Sequence, residues 1–324
     1  MKVIVTAPVK NEEWSLPSTL KNFSAFADYV ILADQSSTDK TREVCKNFEK
    51  VTVIRNHFKG YTNEVRFMLL DEARKIEGNN LIVCLDADEQ ISPKFVGEIK
   101  EHIEKHGTEK SVGFFSKWLQ IYGEHDTYRI DEPWTENYKT FAFFDDRKVD
   151  YNRSHITNEH IGRIPETDYV VELTKPIIHL QWLARKRSEI KQAVYMCTEL
   201  MDGWDPRKTN NRYSVAKFLD NVPLAHVEKP WLEEVYYPSQ KELETYDVVK
   251  LEDIMKMFDQ KGSLFFEPLD IWHIQELRER FEKENGRTPI KIKVFPSWLI
   301  CLNTFKNNTK NKIMLWYTSM NISK

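Results

Sequence analysis

The stretch LIVCLDADEQIS, residues 81–92, places three acidic side chains directly after five apolar residues. Carboxylates as close as Asp86, Asp88 and Glu89 repel one another and raise each other's pKa unless a positive charge lies between them. Hard oxygen ligands of this kind bind Mg²⁺ or Mn²⁺, which also coordinate substrate phosphates. The stretch therefore predicts a buried strand ending at a divalent cation that carries a nucleoside diphosphate. The alternative is a surface turn that caps the next helix.

The residues before this stretch alternate between apolar strands and amphipathic helices. Residues 2–7, 29–34 and 51–55 are short apolar runs. The segments between them have apolar residues at the spacing of one face of a helix. Continuous apolar strands joined by helices indicate an α/β fold with a parallel sheet covered on both faces. In such sheets ligands bind beyond the carboxyl ends of the strands. Residues 8–13, 34–39 and 86–89 are polar clusters that fall at such ends.

The composition excludes several classes of protein. The chain has 324 residues, of which 41% are hydrophobic, and a net charge of −3, so it lacks the basic surface of a nucleic-acid-binding protein. No apolar run is long enough for a transmembrane helix, and the first residues become charged too soon for a signal peptide. The four cysteines show no paired spacing, which is typical of free thiols in a reducing compartment. We expect a cytoplasmic protein. The lysine-rich last residues, 306–324, also allow peripheral contact with the inner face of a membrane.

Three segments together resemble the family 2 nucleotide-sugar glycosyltransferases, and most closely the bacterial members that build lipopolysaccharide core and surface glycans. They are VTAPVKNEE (5–13), YVILADQSSTDKT (29–41) and LIVCLDADEQISP (81–93). The resemblance covers about residues 1–200 and implies a GT-A fold, a mixed, mostly parallel sheet flanked by helices. We expect a GT-A domain over 1–201, with a nucleotide-binding half (1–110) and an acceptor half (111–201). A mostly helical C-terminal extension follows over 202–324.

The resemblance also implies which residues bind the donor. Pro8, Asn11 and Glu12 match the loop that cradles the nucleoside, and Asp34 matches the acid that accepts a hydrogen bond from a uracil-type base. Arg66 falls near the basic position that meets the diphosphate, although a solvent-exposed arginine fits the pattern equally. This chain departs from the family's second motif at one place. It has Gln35 and Ser36 where relatives usually have a small residue and then Gly.

For the metal, Asp86 matches the acid close to the ribose or metal, and Asp88 matches the direct ligand of Mn²⁺ or Mg²⁺. His179 matches a distal histidine at a strand end, which can complete the metal site. A core histidine bonded to the backbone is the alternative. Lys191 lies on a cation-rich helix after His179, where the donor pyrophosphate would balance the charge at the helix N-terminus.

An inverting transfer needs one carboxylate to take the proton from the attacking hydroxyl. Asn158-Glu159 matches a short His-Glu pair of the relatives, so we expect Glu159 to be this base. Asp145, Asp146 and Asp150 are alternatives, of which Asp146 is kept as the second catalytic candidate.

These features predict a metal-dependent, inverting glycosyltransferase. The expected donor is a nucleoside-diphosphate sugar with UDP as the nucleotide, and the expected acceptor is a hydroxyl of a glycan or of a lipid-linked saccharide. A sugar-nucleotide nucleotidyltransferase would share the sheet and the acidic site, but it needs a loop rich in Gly and Arg where this chain has APVKNEEW. The other alternative is a catalytically degenerate glycosyltransferase that only binds ligands.

Overall fold

The structure, a computed structural model, describes residues 1–58, 62, 64–107, 110–131, 134, 137–147, 163–214, 222–245 and 247–292. Up to residue 147 the elements are β1 (Val3–Val9), α1 (Leu16–Phe26), β2 (Tyr29–Asp34), α2 (Thr41–Cys45), β3 (Val51–Arg55), α3 (Glu64–Ala73), β4 (Asn80–Cys84), β5 (Glu89–Gln90), α4 (Lys94–His106), β6 (Val112–Gln120), β7 (Thr127–Arg129) and β8 (Tyr138–Asp145). The later elements are β9 (Tyr169–Glu172), β10 (Ile177–His179), α5 (Arg185–Met201), α6 (Pro206–Ser214), β11 (Leu224–His226), α7 (Gln240–Leu243), α8 (Val248–Lys261) and α9 (Gln275–Asn285).

Nine strands of the described chain form one sheet, in the order β3-β2-β1-β4-β8-β6-β10-β5, with β9 also paired to β6. The first four strands run parallel. Strand β8 lies antiparallel between β4 and β6, and β5 lies antiparallel to β10. A short second sheet pairs β7 with β11. The predicted fold class, a mixed and mostly parallel sheet flanked by helices, is confirmed.

Both faces of the parallel strands are covered by helices. On β1, Val3 and Val5 belong to the same buried cluster as residues of α1 and α4, whereas Ile4 belongs to the cluster that contains Leu69 of α3. This two-sided burial explains why β1, β2 and β4 have apolar residues at consecutive positions instead of at alternate ones. Strand β3 ends the sheet and is partly exposed. The carboxyl ends of β1, β2 and β4 therefore share one edge of a rigid sheet.

The described chain divides into two compact units. The first comprises Met1–Leu183 and Pro223–Leu243, and the second comprises Ala184–Val222 and the described residues from Glu244 onward. In the second unit, α5, α8 and α9 enclose a core that includes Ile190, Ile254 and Leu277. Helix α5 thus lies in the second unit, although the sequence placed it before the boundary at residue 201. The domain boundary at 201 stays a prediction.

The segment Pro223–Leu243 is fastened to the first unit by polar contacts. The side chain of Gln90 bonds the backbone of Tyr236 twice, from Nε2 to the carbonyl at 2.6 Å and from the Tyr236 N–H to Oε1 at 2.8 Å. Asn22 donates to the carbonyl of Glu234 at 2.7 Å. Gln90 and Asn22 are fully buried, so these bonds replace water that the two amides cannot reach.

Candidate active site

The loops after β1 and β2 are interlocked by bonds from backbone N–H groups to side chains. The N–H of Asn11 donates to Ser37 Oγ at 2.9 Å, and the N–H of Thr38 donates to Asn11 Oδ1 at 2.9 Å. The N–H of Glu12 donates to Thr41 Oγ1 at 2.8 Å. Each loop therefore holds the other, and Asn11 and Glu12 lie together at the sheet edge where the sequence predicts the nucleoside. Pro8, in the same segment, pairs with Ala33 within the sheet.

Two residues of these loops have a left-handed backbone. Asn11 and Ser36 both have φ of 56°, a region that costs a residue with a Cβ about 1–2 kcal/mol relative to glycine. Ser36 stands where the resembled family has Gly, and at this φ its Cβ adds strain that Gly would not have.

Asp34, the last residue of β2, is fully buried and bonded on both carboxylate oxygens. The N–H of Ser37 donates to Oδ1 at 3.1 Å, and Arg42 of α2 forms an ion pair with Oδ2. The side chain of Arg42 is 52% exposed, so it can move aside. A cleft of about 470 Å³, lined in part by Asp34, Arg42 and Arg55, opens beside this pair. Its volume is within the range of ligand sites.

At the end of β4, Asp86 pairs with two guanidinium groups. Its Oδ1 lies 2.6 Å from Arg66 Nη2 and its Oδ2 lies 2.7 Å from Arg163 Nη2. Burial by itself would raise the pKa of Asp86, but Arg163 and Arg66 outweigh it and hold the pKa well below its usual range. Arg66 also donates to the Leu85 carbonyl at 3.2 Å and is buried. It is therefore a charge partner at the rim, and not an exposed helix residue.

Glu89 is buried against Arg163, which also pairs with Asp86. Arg163 donates to both carboxylate oxygens of Glu89, from Nη2 to Oε1 at 2.8 Å and from Nη1 to Oε2. The indole N–H of Trp118 donates to Oε1 at 2.7 Å, and the N–H of Asp86 donates to Oε2 at 3.0 Å. Lys139 lies on the neighbouring strand, where burial, reinforced by Arg163, lowers its pKa to about 8. Positive side chains thus face Asp86 and Glu89.

Asp88 and His179 face each other at the same edge of the sheet. Asp88 Oδ2 lies 3.3 Å from His179 Nε2, and both side chains are buried. Backbone pairing places them, because His179 ends β10, pairs with Glu89 of β5, and is followed by Leu180, whose N–H donates to the Asp88 carbonyl at 2.9 Å. His179 does lie at the end of a strand, as the sequence predicts.

The carboxylate oxygen of Asp88 and the ring nitrogen of His179 are suitable ligands for a divalent cation. Such a cation would take its other ligands from water and substrate phosphates. Within the described ranges, no three His, Cys, Asp or Glu side chains are grouped so that they could hold a metal ion. Mg²⁺ and similar ions are commonly held by one or two protein carboxylates together with substrate phosphates, and an imidazole is a further usable ligand. Asp88 and His179 meet this requirement, whereas both oxygens of Asp86 are engaged by arginines. The assignment of Asp86 as a metal ligand stays a prediction.

Several predicted residues lie elsewhere. Asp145 pairs with Asn80 at the start of β4 and bonds Arg74 twice, at 2.8 and 2.7 Å. The five residues of β4, Asn80–Cys84, span about 13 Å over four steps. Asp145 and the adjacent Asp146 therefore lie at the opposite edge of the sheet from Asp86. Lys191 lies on α5 in the second unit, and its contact with the donor stays a prediction. Glu159 and Asp150 lie outside the described residues.

Sequence reasoning missed four residues of this site, namely Arg163, Trp118, Gln120 and Lys139. Arg163 meets Glu89 across 74 positions of the chain, and Trp118 meets it across 29. Trp118 and Gln120 occupy the last positions of β6, where the alternation of a strand would have aimed both at the same face. That alternation was a usable signal, but nothing local marks Arg163.

A mostly parallel sheet whose first, second and fourth strands end in an Asn-containing loop, a buried acid and an Asp-x-Asp segment has the arrangement of a GT-A nucleotide-sugar transferase. Residues 4–162 match the family model described as Glycosyl transferase family 2, and this part of the chain belongs to that family. An uncharacterized glycosyltransferase of Rickettsia typhi is 26% identical over 134 residues, which are 41% of this chain and 44% of that relative. The match thus spans less than half the length of this curated relative.

Two solved structures are similar at a low level. Residues 1–349 of TarS from S. aureus give a TM-score of 0.40 with 13% identity, covering 92% of this chain and 95% of that chain. Glucosyl-3-phosphoglycerate synthase from Mycobacterium tuberculosis, in complex with Mn²⁺, UDP and glucosyl-3-phosphoglycerate, gives a TM-score of 0.29 with 20% identity, covering 36% and 44%. Among the residues that the structure describes, no helix has the length and hydropathy needed to span a bilayer.

Proposed function

We propose that the protein is a metal-dependent, inverting glycosyltransferase that moves a sugar from a UDP-linked donor to a hydroxyl of a glycan or a lipid-linked saccharide. The observation that carries the proposal is the pairing of Asp88 with His179, 3.3 Å apart at the carboxyl edge of a family 2 sheet. Metal dependence rests on this pair, because a carboxylate and an imidazole held together suit a shared cation.

The donor would lie across the edge of the sheet. We assign its base to the side of Asp34 and its ribose to the loop of Pro8, Asn11 and Glu12. The base would replace Arg42 as the partner of the Asp34 carboxylate, since Arg42 is half exposed and free to swing out. A cation bound by Asp88 and His179 would supply Lewis-acid stabilisation of the diphosphate leaving group.

The cationic side chains of the rim would orient the diphosphate. Arg66 and Arg163 are held by Asp86 and Glu89, so their positions are set before a substrate arrives. Such pre-organised charge stabilises a developing anion without the cost of reorganising the site. Glu159 remains our proposed general base for the acceptor hydroxyl, and cytoplasmic reaction at or near the inner face of a membrane remains our proposed location.

The first experiment measures donor binding. Thermal unfolding is recorded with UDP-, GDP- and CDP-sugars, each with Mn²⁺ and with EDTA. We expect the UDP-sugars to stabilise the protein only when Mn²⁺ is present, since a ligand at a hundred times its Kd adds about 2.7 kcal/mol to folding. Equal stabilisation in EDTA would contradict the metal assignment.

The second experiment tests Asp88 directly. Asp88→Asn should remove Mn²⁺-dependent stabilisation by the donor and reduce UDP release by a hundredfold or more, because one ligand of the cation is lost. Asp253→Asn, which changes an exposed carboxylate of α8, is the matched control and should behave as the wild type. Full UDP release by Asp88→Asn would refute the role of this carboxylate.

The products separate the alternative functions. A glycosyltransferase releases UDP from a UDP-sugar, whereas a nucleotidyltransferase releases pyrophosphate from a nucleoside triphosphate and a sugar phosphate. A degenerate protein would bind the donor and release neither. Release of UDP alone is the outcome that the proposal requires.

A further inference from the structure

The side chain of Gln120 accepts hydrogen bonds from two aromatic rings beside the proposed cation site. Its Oε1 lies 2.6 Å from Nδ1 of His179 and 2.9 Å from the indole Nε1 of Trp182. Gln120 is 1% exposed, and within the described residues no acceptor bonds its Nε2. The described protein contacts of this amide are therefore made by its oxygen.

The tryptophan determines the orientation of the amide. An indole N–H can only donate, so the atom of Gln120 that faces Trp182 must be the oxygen. A flipped amide would place an NH₂ group against the indole N–H and lose the contact with Trp182. Since the same oxygen faces His179, Nδ1 of His179 must carry a hydrogen and donate. This assignment holds for a neutral ring and for a charged ring, because both forms then have Nδ1–H.

The second nitrogen of the ring faces the carboxylate. With Nδ1 bonded to Gln120, Nε2 points to Asp88 Oδ2 at 3.3 Å. In the neutral ring Nε2 then carries a lone pair, which is the form that binds a metal ion. Two ligand atoms at about 2.1 Å from an ion and at a right angle to each other are about 3.0 Å apart. The observed separation is close to this value.

Packing fixes the plane of the same ring. Trp118 stacks on His179 with ring centroids 4.5 Å apart and an interplanar angle of 24°. Gln120 and His179 are direct register partners on β6 and β10, and His179 is the partner of Glu89 on β5. Register partners point to the same face of a sheet, so Gln120, His179 and Glu89 form one row across three strands.

We propose that Gln120 is a positioning residue, which holds His179 as the Nδ1–H tautomer so that the Nε2 lone pair is presented, together with Asp88, to the cation. This inference rests on the cation site of the proposed function. Gln120 would act through His179, because its oxygen faces the two rings. A hydrogen-bond partner of this kind typically changes the metal affinity of a site 10- to 100-fold.

The tautomer is measured without metal and without substrate. Long-range ¹H–¹⁵N correlation spectra of protein labelled at its nine histidines, recorded at alkaline pH, distinguish Nδ1–H from Nε2–H, and His179→Asn identifies the resonance. We expect Nδ1–H in the wild type and Nε2–H in Gln120→Met, which has a similar shape without the acceptor. Gln120→Glu keeps an acceptor in the same place and should restore Nδ1–H.

Calorimetric titration with Mn²⁺ alone gives the second measurement. The dissociation constant should rise 10- to 100-fold in Gln120→Met. It should stay within threefold of the wild type in Gln120→Glu and in the control Asp253→Asn, which changes an exposed carboxylate of α8. Nδ1–H retained in Gln120→Met, or an unchanged dissociation constant, would overturn the proposal.

Two further outcomes also decide the matter. If Gln120→Met does not fold, a loss of Nδ1–H or a tenfold weaker Mn²⁺ affinity in Gln120→Glu refutes the role of Gln120. If the wild type shows Nδ1–H, Gln120→Met shows Nε2–H and neither binds Mn²⁺, the proposed cation site fails. The role of Gln120 in setting the tautomer then still stands.

Discussion

Replacing Arg163 by methionine would leave the carboxylates of Asp86 and Glu89 without the guanidinium group that they share. Arg163 makes two bonds to Glu89 and one to Asp86, and its side chain is 10% exposed, while that of Glu89 is fully buried. Removing one partner of a buried ion pair costs about 3–5 kcal/mol, since the remaining charge is left uncompensated. Asp86 keeps Arg66, and Glu89 keeps the Trp118 indole and a backbone N–H. We therefore expect a loss near the lower limit, about 3 kcal/mol.

Urea unfolding followed by circular dichroism measures this loss, and the slope shows whether the same surface is exposed in each variant. Glu89→Gln keeps the shape and removes the charge, so it should recover part of the loss in the double variant with Arg163→Met. For groups in direct contact, we expect a coupling energy of about 1–3 kcal/mol.

The matched control is Lys256→Met, which breaks a surface pair with Asp253 in which the lysine side chain is 63% exposed. Exposed pairs of this kind contribute less than about 1 kcal/mol. If Arg163→Met unfolded within about 1 kcal/mol of the wild type at the same slope, Arg163 would not be the group that stabilises these acids.

Three further changes test other features of the first unit. Ser36→Gly should raise the unfolding free energy by about 1 kcal/mol, because φ of 56° favours glycine; a lower thermal midpoint would contradict the strain. The pKa of Lys139 is about 8 in the folded protein and 10.5 in the unfolded chain. Burial of the charged lysine therefore destabilises the fold fully below pH 8, and this destabilisation is lost as the pH rises from 8 to 10.5. Relative to Lys139→Met, the wild type should gain about 3 kcal/mol between pH 7 and pH 10.5 in urea titrations, and a difference independent of pH would exclude this. Gly113→Ala should lose about 1–3 kcal/mol, because its Cβ would lie 2.6 Å from a methyl of Ile164; unchanged calorimetric stability would show that Ile164 moves aside.

The strands and the polar edge were predictable because their signals are local. Five apolar residues before Asp86 identify a buried strand, and in a parallel sheet its carboxyl end is known once its direction is known. The same reasoning applied to Asn11 and Asp34, which the structure brings to that edge. The left-handed backbone of Ser36 was not predicted, because the sequence shows only that Ser stands where the resembled family has Gly.

The partners of the acids were not predictable, because they depend on pairing between distant segments. The sequence indicates that positive charge must face Asp86 and Glu89, and it predicts a metal ion in that role. The structure places Arg66 and Arg163 against them. Asp145 was kept as an alternative base because spacing along the chain cannot place an acid in three dimensions. The antiparallel direction of β8, which no local pattern reveals, carries it to the far edge.

The bonds from Gln90 to Tyr236 and from Asn22 to Glu234 affect how this protein can be shortened. A chain that stops at residue 201 lacks both backbone partners, and two amides that are fully buried in the intact protein would be exposed or unpaired. Gln90 is two positions from Asp88, so the damage would be close to the proposed cation. Shortened forms intended for donor-binding studies should therefore retain the chain through Leu243, even though the family signature ends at residue 162.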